Sequence, residues 1–286
     1  MFHFQKIVSF QLSALTLITL LQTGAVHAST ENIPPLHSYE VHSSTLQALQ
    51  LTDHFEDRFF YISYAIDPSA MRIRRIQHFI ARFGVESKKA KQLAQQIETI
   101  ARCFQIDSYV FSALIARESG FNSHALSPTG AKGLTQMTPL GMWEVSQQFG
   151  LERPETHDVG TPSAIQVLTR MTDHCLVPKL ETHWIPPFDL PAVKQHAPYS
   201  SAWTDALSEV MLQDDTTSLI YGAALFRTLL IDVTHIRAQS KDPDLRKTEE
   251  IFKEALRRYN GDELEKDNYQ RIIMNYHLSE LLRTFP

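Results

Sequence analysis

The sequence predicts an all-α fold, and two stretches carry that prediction. The first begins at Asp107, whose side chain can accept hydrogen bonds from the free amides of a first helical turn. Leu114 and Ile115 follow at helical spacing, and Gly120 ends the helix because glycine tolerates the left-handed C-terminal conformation. In the second stretch, Ser87 can cap a helix with one apolar face, formed by Ala90, Leu93, Ala94, Ile97, Ile100 and Ala101. These patterns predict two consecutive helices.

The composition is that of a globular protein with a sizeable core. The chain has 286 residues, enough for one large domain or two small ones. Hydrophobic residues make up 43% and charged residues 21%, which suits a soluble protein. The net charge of −5 offers no basic face for nucleic acid and no simple attraction to anionic lipid.

The first 28 residues have the pattern of a secretory signal peptide. Lys6 supplies a short basic region, and residues 7–21 are largely apolar but interrupted by polar residues. Val26 and Ala28 then stand at the −3 and −1 positions of a cleavage site after Ala28. We therefore expect an exported, periplasmic protein with no stable membrane insertion after cleavage.

The two cysteines take their meaning from that compartment. In an oxidising space, Cys103 and Cys175 are a disulfide candidate. A bridge that closes a loop of about 70 residues stabilises by roughly 4 kcal/mol in the chain-entropy model. Two separately buried thiols are the alternative.

Residues 29–84 are predicted to form a helical N-terminal extension. Its first residues are polar and contain Pro34-Pro35, as in a linker, and short helices are expected from about residue 44 onward. Asp67-Pro68-Ser69 is typical of a helix start, and Gly84 ends that helix.

No metal site is expected. The chain has 13 histidines, but most of them are scattered singly. The densest group is 173–175 with Glu181 and His183, and it has none of the usual zinc-ligand spacings.

One acid, Glu118, stands at the end of the apolar helix and before a turn-rich segment. A carboxylate at the rim of an apolar helix is partly desolvated, which raises its pKa and keeps it protonated for acid catalysis. The residues that follow, Ser127 to Gly130 and then Gly133, suit tight turns and close backbone approach. The alternative is an ordinary solvated helix end.

The segment from Glu118 to Pro139 resembles the core motif of the soluble lytic transglycosylases, peptidoglycan-cleaving enzymes with a goose-type lysozyme-like fold. The family pattern is ES-x-F, then A-x-S-x-x-G-A-x-G-L-M-Q, then a proline. The matching residues here are Glu118, Ser119, Phe121, Ala125, Ser127, Gly130, Ala131, Gly133, Leu134, Gln136 and Pro139. The chain departs from the pattern at Thr135, where the family usually has Met.

Two later stretches resemble the same family in the same order. The stretch from Ser218 to Leu225 is similar to the family's N-I-x-x-G-x-x-Y helix, with Gly222 kept and with its first and last residues replacing Asn and Tyr. Residues 255–261 resemble A-L-x-x-Y-N-x-G, and residues 269–273 resemble the Y-V-x-x-V helix that closes the domain.

The resemblance, which covers about 87–150 and 214–280, implies a lysozyme-like catalytic domain over 85–286. It implies cleavage of the β-1,4 bond between N-acetylmuramic acid and N-acetylglucosamine in peptidoglycan glycan strands. Glu118 is then the general acid and afterwards the base toward the muramoyl 6-hydroxyl, which closes a 1,6-anhydro ring. One carboxylate suffices, and neither a metal nor an organic cofactor is needed.

The same resemblance implies substrate-binding roles for Ser119, Gln136, Tyr259 and Asn260. Each of these residues also has a structural alternative, as helix cap, loop amide, packing residue or turn former respectively.

Two other functions stay open at the level of sequence. A goose-type lysozyme would use water in place of the 6-hydroxyl, and it would need a second acid such as Asp214 or Asp215 near the cleft. A non-catalytic wall-binding or secretion-machine scaffold would keep the fold and lose turnover. An envelope-machine partner cannot be read from the chain.

Residues 151–213 form an insert that holds half of the 14 prolines. Such a stretch resists continuous helix and favours an ordered excursion, with one short helix over residues 165–171. Four aromatic residues of the insert either stack on sugar rings or pack the insert onto the domain: Trp184, Phe188, Tyr199 and Trp203. We expect the insert to wall one side of the glycan cleft.

Overall fold

The computed structural model describes residues 67–104, 106–151, 184–238, 241–242, 248–261 and 266–283. Within these ranges the protein is helical and contains no strand, which confirms the all-α, lysozyme-like prediction. The helices are α1 (Ser69–Ala81), α2 (Ser87–Cys103), α3 (Ser108–Ser119), α4 (Pro139–Gln148), α5 (Pro191–Lys194), α6 (Ser201–Gln213), α7 (Asp215–Ala238), α8 (Thr248–Asn260), α9 (Lys266–Arg271) and α10 (Leu278–Arg283). A 3-10 turn spans Pro187–Asp189, and a π-helix spans Ile272–His277 between α9 and α10.

Several predictions made from the sequence lie outside the described residues. They are the signal peptide at 1–28, the extension before residue 67, the helix at 165–171, the histidine group at 173–183 and Cys175. The disulfide between Cys103 and Cys175 therefore stays a prediction.

Helix α3 forms the centre of the molecule. All nine residues from Ser108 to Ala116 are buried, and α1, α2, the π-helix and α10 pack around them. A helix that is apolar on all sides is a buried core element. Its last turn reaches the surface of the core and carries Glu118 with it.

Both ends of α3 form as predicted. The Asp107 side chain accepts hydrogen bonds from the backbone N–H groups of Tyr109 and Val110 at 2.9 and 3.1 Å. Gly120 ends the helix in the left-handed conformation, with φ of 58°. The start of α2 differs from the prediction, because Glu86 rather than Ser87 is the cap and accepts from the backbone of Lys88.

A buried ion pair joins α1 to α2. The side chains of Arg72 and Glu98 are each 2% exposed. The Nη2 atom of Arg72 lies 2.6 Å from the Oε1 atom of Glu98. Arg72 also donates to the backbone oxygen of Asp67, and the Asp67 carboxylate accepts from the Tyr109 hydroxyl on α3. Helix α1 thus shares one core with α2 and α3.

The described part of the insert packs into this core. Trp184, Phe188 and Trp203 are buried, and the indole N–H of Trp143 donates to Thr204 Oγ1 at 2.9 Å. Packing rather than sugar stacking is therefore the role of these three insert aromatics. Tyr199 is partly buried, with its ring 5.6 Å from that of Trp143.

The insert also contains more regular helix than its prolines suggest. Helix α6 spans 13 residues and begins after the last proline of the insert, Pro198. It contacts α4, α5 and α7. Among the described residues, no helix has both the length and the apolar character needed to cross a membrane.

Candidate active site

Glu118 lies half-buried on the last turn of α3, and its carboxylate accepts a hydrogen bond from the Tyr269 hydroxyl. Burial raises the pKa of Glu118 to about 7, against smaller lowering effects of the Tyr269 hydrogen bond and the Arg117 charge. Close to neutral pH, protonated and ionised forms are therefore both well populated. The desolvation expected for an acid at the rim of an apolar helix is present.

Tyr269 on α9 is the main partner of Glu118, and sequence reasoning did not single it out. Its side chain is buried, and the Arg117 guanidinium lies 5.9 Å from its ring centre. Burial, together with the nearby Glu118 charge, raises the pKa of Tyr269 well above its ordinary value, so the phenol stays a hydrogen-bond donor. The signal for it in the sequence is the tyrosine that opens the 269–273 motif, a motif that by itself indicates only a closing helix.

Tyr259 on α8 lies near enough to Glu118 to be affected by its charge. Burial raises the pKa of its phenol well above the ordinary value, and the second cause is the negative charge of Glu118. Its hydroxyl donates to the backbone oxygen of Thr135 at 2.9 Å, and its ring lies 6.1 Å from that of Phe226. The fold therefore brings Tyr259 within electrostatic range of Glu118, more than 140 residues away in the sequence, and its substrate-binding role stays a prediction.

Gln136 orders the loop between α3 and α4, which follows Glu118 in the sequence. Its backbone φ is 47°, in the left-handed region. Its side-chain Nε2 donates to the backbone oxygens of Ala125 and Gly133, each at 3.0 Å. Both amide protons are thus used within the loop, and a substrate contact of Gln136 stays a prediction.

Ser119 acts locally at the end of α3. Its hydroxyl donates to the backbone oxygen of Ile115 at 3.2 Å and accepts from the backbone N–H of Phe121 at 3.1 Å. These two bonds hold the sharp turn after Glu118, in which Phe121 has a φ of 63°. The contacts match the helix-cap alternative for Ser119, and a direct substrate contact stays a prediction.

Asn260 is the last residue of α8 and follows Tyr259 directly. Its side-chain Nδ2 is buried and has no hydrogen-bond partner among the described residues. Buried donors in folded proteins normally find a partner, and the substrate-binding role of Asn260 stays a prediction.

Two glycines allow the loop between α3 and α4, which carries Gln136, to approach the rest of the domain closely. A Cβ on Gly133 would lie 2.5 Å from the backbone oxygen of Met211 at the end of α6. A Cβ on Gly222 would lie 2.4 Å from the Thr135 side chain, so any larger residue would push the loop off α7. The loop that carries Gln136 is therefore packed directly against α6 and α7.

The two candidate second acids are both engaged elsewhere. Asp214 caps α7 by accepting from the backbone N–H groups of Thr216 and Thr217 at 3.1 and 3.2 Å. Asp215 forms an ion pair with Lys89 on α2. Both acids thus serve the junction between α2, α6 and α7.

Among the described residues, no group of three or more His, Cys, Asp or Glu side chains could hold a metal ion. The one histidine-rich group considered from the sequence, at 173–183, lies outside them.

Comparison with known proteins gives one match. Residues 95–167 match the family model described as a transglycosylase SLT domain, whose implied substrate is peptidoglycan. No curated protein and no solved structure matches the chain significantly. The matched range includes Glu118, Ser119 and Gln136, whereas Tyr259 and Tyr269 lie beyond it. The match over residues 95–167 to a transglycosylase SLT domain supports a lytic transglycosylase family for the segment that carries Glu118.

Proposed function

We propose that this protein is a peptidoglycan lytic transglycosylase. It cleaves the β-1,4 bond between N-acetylmuramic acid and N-acetylglucosamine and leaves a 1,6-anhydromuramoyl end. The observation that carries the proposal is the environment of Glu118, a half-buried carboxyl with its pKa raised to about 7 and a tyrosine hydroxyl as its partner. A group with that pKa can both give and take a proton near neutrality.

The reaction needs only this one carboxyl group. In the first half, protonated Glu118 donates its proton to the bridging oxygen as the bond from that oxygen to the anomeric carbon breaks. The glycan on the other side leaves with a hydroxyl group. In the second half, ionised Glu118 removes the proton of the muramoyl 6-hydroxyl while its oxygen bonds to the anomeric carbon. Glu118 ends protonated, and no water is consumed.

Tyr269 assists the ionised form that exists between the two halves. A hydroxyl that donates to a carboxylate stabilises the charged state, and such charge-assisted bonds are stronger than neutral ones. Tyr269 thus stabilises the negative charge on Glu118 just after proton donation, without adding a permanent positive charge that would hold the group ionised.

The engagement of the second acids favours an intramolecular nucleophile over water. A hydrolase of this fold would need another carboxylate to activate water, and the candidates from the sequence were Asp214 and Asp215. One of them caps a helix, and the other pairs with Lys89. The 6-hydroxyl of the substrate needs no such activation beyond Glu118 itself.

The proposed location is the periplasm, where peptidoglycan lies. The support is the signal-peptide pattern of residues 1–28, with cleavage after Ala28. Sequencing the N-terminus of the protein recovered from a periplasmic extract tests this: a start at Ser29 is expected.

The decisive test of the activity is the chemistry of the new glycan ends. Purified mature protein is incubated with sacculi in ¹⁸O-labelled water, with Glu118→Gln as the control, and the released muropeptides are weighed by mass spectrometry. The proposal expects anhydromuramoyl ends that lack one water and carry no label. Reducing ends with ¹⁸O would establish a lysozyme-like hydrolase, and binding to sacculi without any release would establish a scaffold.

A further inference from the structure

Arg117 stands directly before Glu118 on the last turn of α3, and its side chain is exposed to solvent. The central carbon of its guanidinium lies 5.9 Å from the centre of the Tyr269 ring. The hydroxyl of the same tyrosine donates its proton to the Glu118 carboxylate. One side chain of α9 thus contacts two neighbouring residues of α3, the cation at its ring and the acid at its hydroxyl.

The tyrosine connects two side chains that do not face each other. Successive side chains leave an α-helix about 100° apart, because one turn contains about 3.6 residues, and neighbours at i and i+1 therefore point in different directions. Tyr269 reaches both because it comes from another helix. It is 2% exposed, whereas Arg117 lies on the solvent side.

The contact acts on the phenol through both position and charge. A cation within about 6 Å of a ring centre is attracted to the negative face of the ring, which favours the orientation in which the hydroxyl reaches Glu118. Burial and the Glu118 charge raise the pKa of Tyr269, and the Arg117 charge acts against them. A phenol near a positive charge is a stronger hydrogen-bond donor, so the guanidinium strengthens the bond to the carboxylate.

We propose that Arg117 is a positioning residue that acts on Glu118 through Tyr269: its guanidinium fixes the ring and strengthens the hydrogen bond that the phenol donates to the carboxylate. The inference rests on the proposed function of Glu118 as proton donor. The anion that forms when Glu118 gives up its proton is then stabilised by the phenol and by the cation on the ring of that phenol. Glu118 keeps a pKa of about 7 in this arrangement, so it can take up a proton again in the second half of the reaction.

Other titratable groups lie within electrostatic range. Burial raises the pKa of Tyr259 on α8 well above its ordinary value, so this phenol is uncharged near neutral pH. Burial, and then the Arg117 charge, lower the pKa of His277 on the π-helix, so this ring is neutral at pH 7 and above. Glu280 of α10 acts on His277 in the opposite direction and pairs with Arg82 at the end of α1. Near neutral pH, neither aromatic neighbour contributes a charge.

Loss of Arg117 has a definite sign. Without the guanidinium, the ionised carboxylate loses a nearby positive charge and the fixed position of its donor, so the pKa of Glu118 should rise above about 7. A higher pKa makes Glu118 a weaker acid, which slows the first proton transfer and moves the alkaline limb of kcat/KM to higher pH. Because Arg117 is exposed, salt should screen its charge, since the Debye length falls from about 10 Å at 0.1 M to about 3 Å at 1 M.

The test compares Arg117→Met in the wild-type protein and in Tyr269→Phe. Met keeps a long side chain and removes the guanidinium, whereas Phe keeps the ring and removes only the hydroxyl. The readouts are kcat and KM on sacculi over pH and the ¹³C NMR titration of the Glu118 carboxyl, assigned by its loss in Glu118→Gln. The NMR titration needs no turnover, so it separates this inference from the proposed function, which fails if wild-type protein releases no anhydro ends.

A matched control is Arg271→Met on α9, the helix that carries Tyr269. Arg271 is exposed, and its Nη2 donates to Asn268 Oδ1 at 3.1 Å. Residues at i and i+2 of a helix do not face each other, so the same substitution removes an exposed guanidinium two positions away from Tyr269 on a different side of α9. It reports the effect of losing a surface charge near the site.

Arg117→Met is expected to raise the midpoint of the Glu118 titration, to shift the alkaline limb the same way and to reduce kcat several-fold at about pH 6 with KM little changed. In Tyr269→Phe the same substitution should raise the midpoint by less, because no hydroxyl is left to position. Raising the salt concentration from about 0.1 M to about 1 M should raise the wild-type midpoint and leave that of Arg117→Met almost unchanged. Arg271→Met should titrate as wild type does.

A wild-type midpoint in Arg117→Met would overturn the proposal. A shift of equal size in the Tyr269→Phe background would also overturn it, because Arg117 would then act without the phenol, and so would an equal shift in Arg271→Met. A raised KM with an unshifted midpoint would make Arg117 a substrate contact instead of a positioning residue. If Arg117→Met does not fold, Arg117→Gln, which is also uncharged, takes its place with the same expected and contrary outcomes.

Discussion

Two glutamates on neighbouring helices show how the partner of a carboxylate decides its use. Glu98 on α2 meets the Arg72 guanidinium, whose Nε and Nη2 lie 2.8 and 2.6 Å from one carboxylate oxygen. Glu118 on α3 meets the neutral hydroxyl of Tyr269. A guanidinium is permanently charged and holds its partner as an anion, whereas a hydroxyl leaves the carboxyl free to gain and lose a proton.

The difference also gives the two glutamates different roles in the molecule. The Arg72–Glu98 pair lies in the interior and joins α1 to α2, so its effect is on the stability of the fold. Glu118 lies where α3 leaves the core, and desolvation that no cation fully offsets raises its pKa to about 7. A catalytic acid thus needs an environment that stabilises its anion incompletely. The predictions that follow test this division.

The largest expected effect is on activity, in Glu118→Gln. Gln keeps the shape of the side chain but has no proton to give, so turnover should fall by at least about 10²-fold, the lower end of what general acid–base catalysis typically contributes. Release of soluble muropeptides from sacculi measures it. Residual activity above about a tenth of wild type is more than the loss of a general acid allows, and it would move the catalytic acid elsewhere.

The stability of the same variant should depend on pH in one direction. The pKa of Glu118 is about 7 in the folded protein against an ordinary value of 4.5, so between these pH values the folded state binds the proton more strongly. Ionisation of Glu118 therefore lowers wild-type stability as pH rises from about 4.5 through 7. Gln cannot ionise, and its Tm should equal that of wild type at pH 4 and exceed it at pH 8.

The complementary variant is Glu98→Gln, which should lower the free energy of unfolding and leave the catalytic pH profile unchanged. It leaves the buried Arg72 charge without a counter-charge, and breaking such a pair costs about 3–5 kcal/mol of unfolding free energy. Urea denaturation measures the loss. The surviving folded protein should keep the wild-type alkaline limb of kcat/KM. An unchanged midpoint of denaturation, or a shifted alkaline limb of kcat/KM, would contradict the assignment of a structural role to Glu98 and a catalytic role to Glu118.

A fourth expected effect concerns the end of α2, where Cys103 is buried. Its predicted disulfide with Cys175 should stabilise the exported protein by roughly 4 kcal/mol in the chain-entropy model. Thiol labelling of denatured, unreduced protein should find no reactive cysteine, and reduction should lower the Tm. Two labelled thiols would contradict the predicted disulfide.

Tyr269→Phe should raise the pKa of Glu118. The Tyr269 hydrogen bond lowers the pKa of Glu118, so its loss should raise that pKa and shift the alkaline limb of kcat/KM to higher pH. The rate at low pH should fall several-fold, because the ionised carboxylate loses its donor. Tyr276→Phe, at an exposed position of the π-helix, is the matched control and should change neither quantity.

The smallest effect on the chemistry is expected from the insert. Its last helix, α6, ends against Gly133 of the loop between α3 and α4. This contact supports the prediction that the insert forms one side of the glycan cleft. Replacing residues 152–183 with a short Gly-Ser linker keeps α6 in place. The variant should change the length distribution of glycan fragments while the anhydro ends remain. An identical distribution would assign this part of the insert to another purpose.

Much of the site was predictable because it is encoded locally. The Asp107 cap, the apolar α3 and the turn at Gly120 depend on neighbouring residues, and so does the position of Glu118 at the edge of the core. The motif spacing then singled out Gln136, Tyr259 and Asn260 as substrate-binding candidates, and those roles stay predictions. Local patterns also misled at Ser87, where a serine was favoured as the cap and the adjacent Glu86 side chain takes the amides instead.

By itself, the sequence determined that the chain is helical, that one acid ends its most apolar helix and that the surrounding motif resembles that of the lytic transglycosylases. Only the tertiary structure decided which partner each acid has. Tyr269 meets Glu118 across 151 positions of sequence, and Ser218 meets Thr135 across 83. Helix periodicity and capping act within a few residues, whereas pKa and hydrogen-bond direction depend on atoms that only folding brings together.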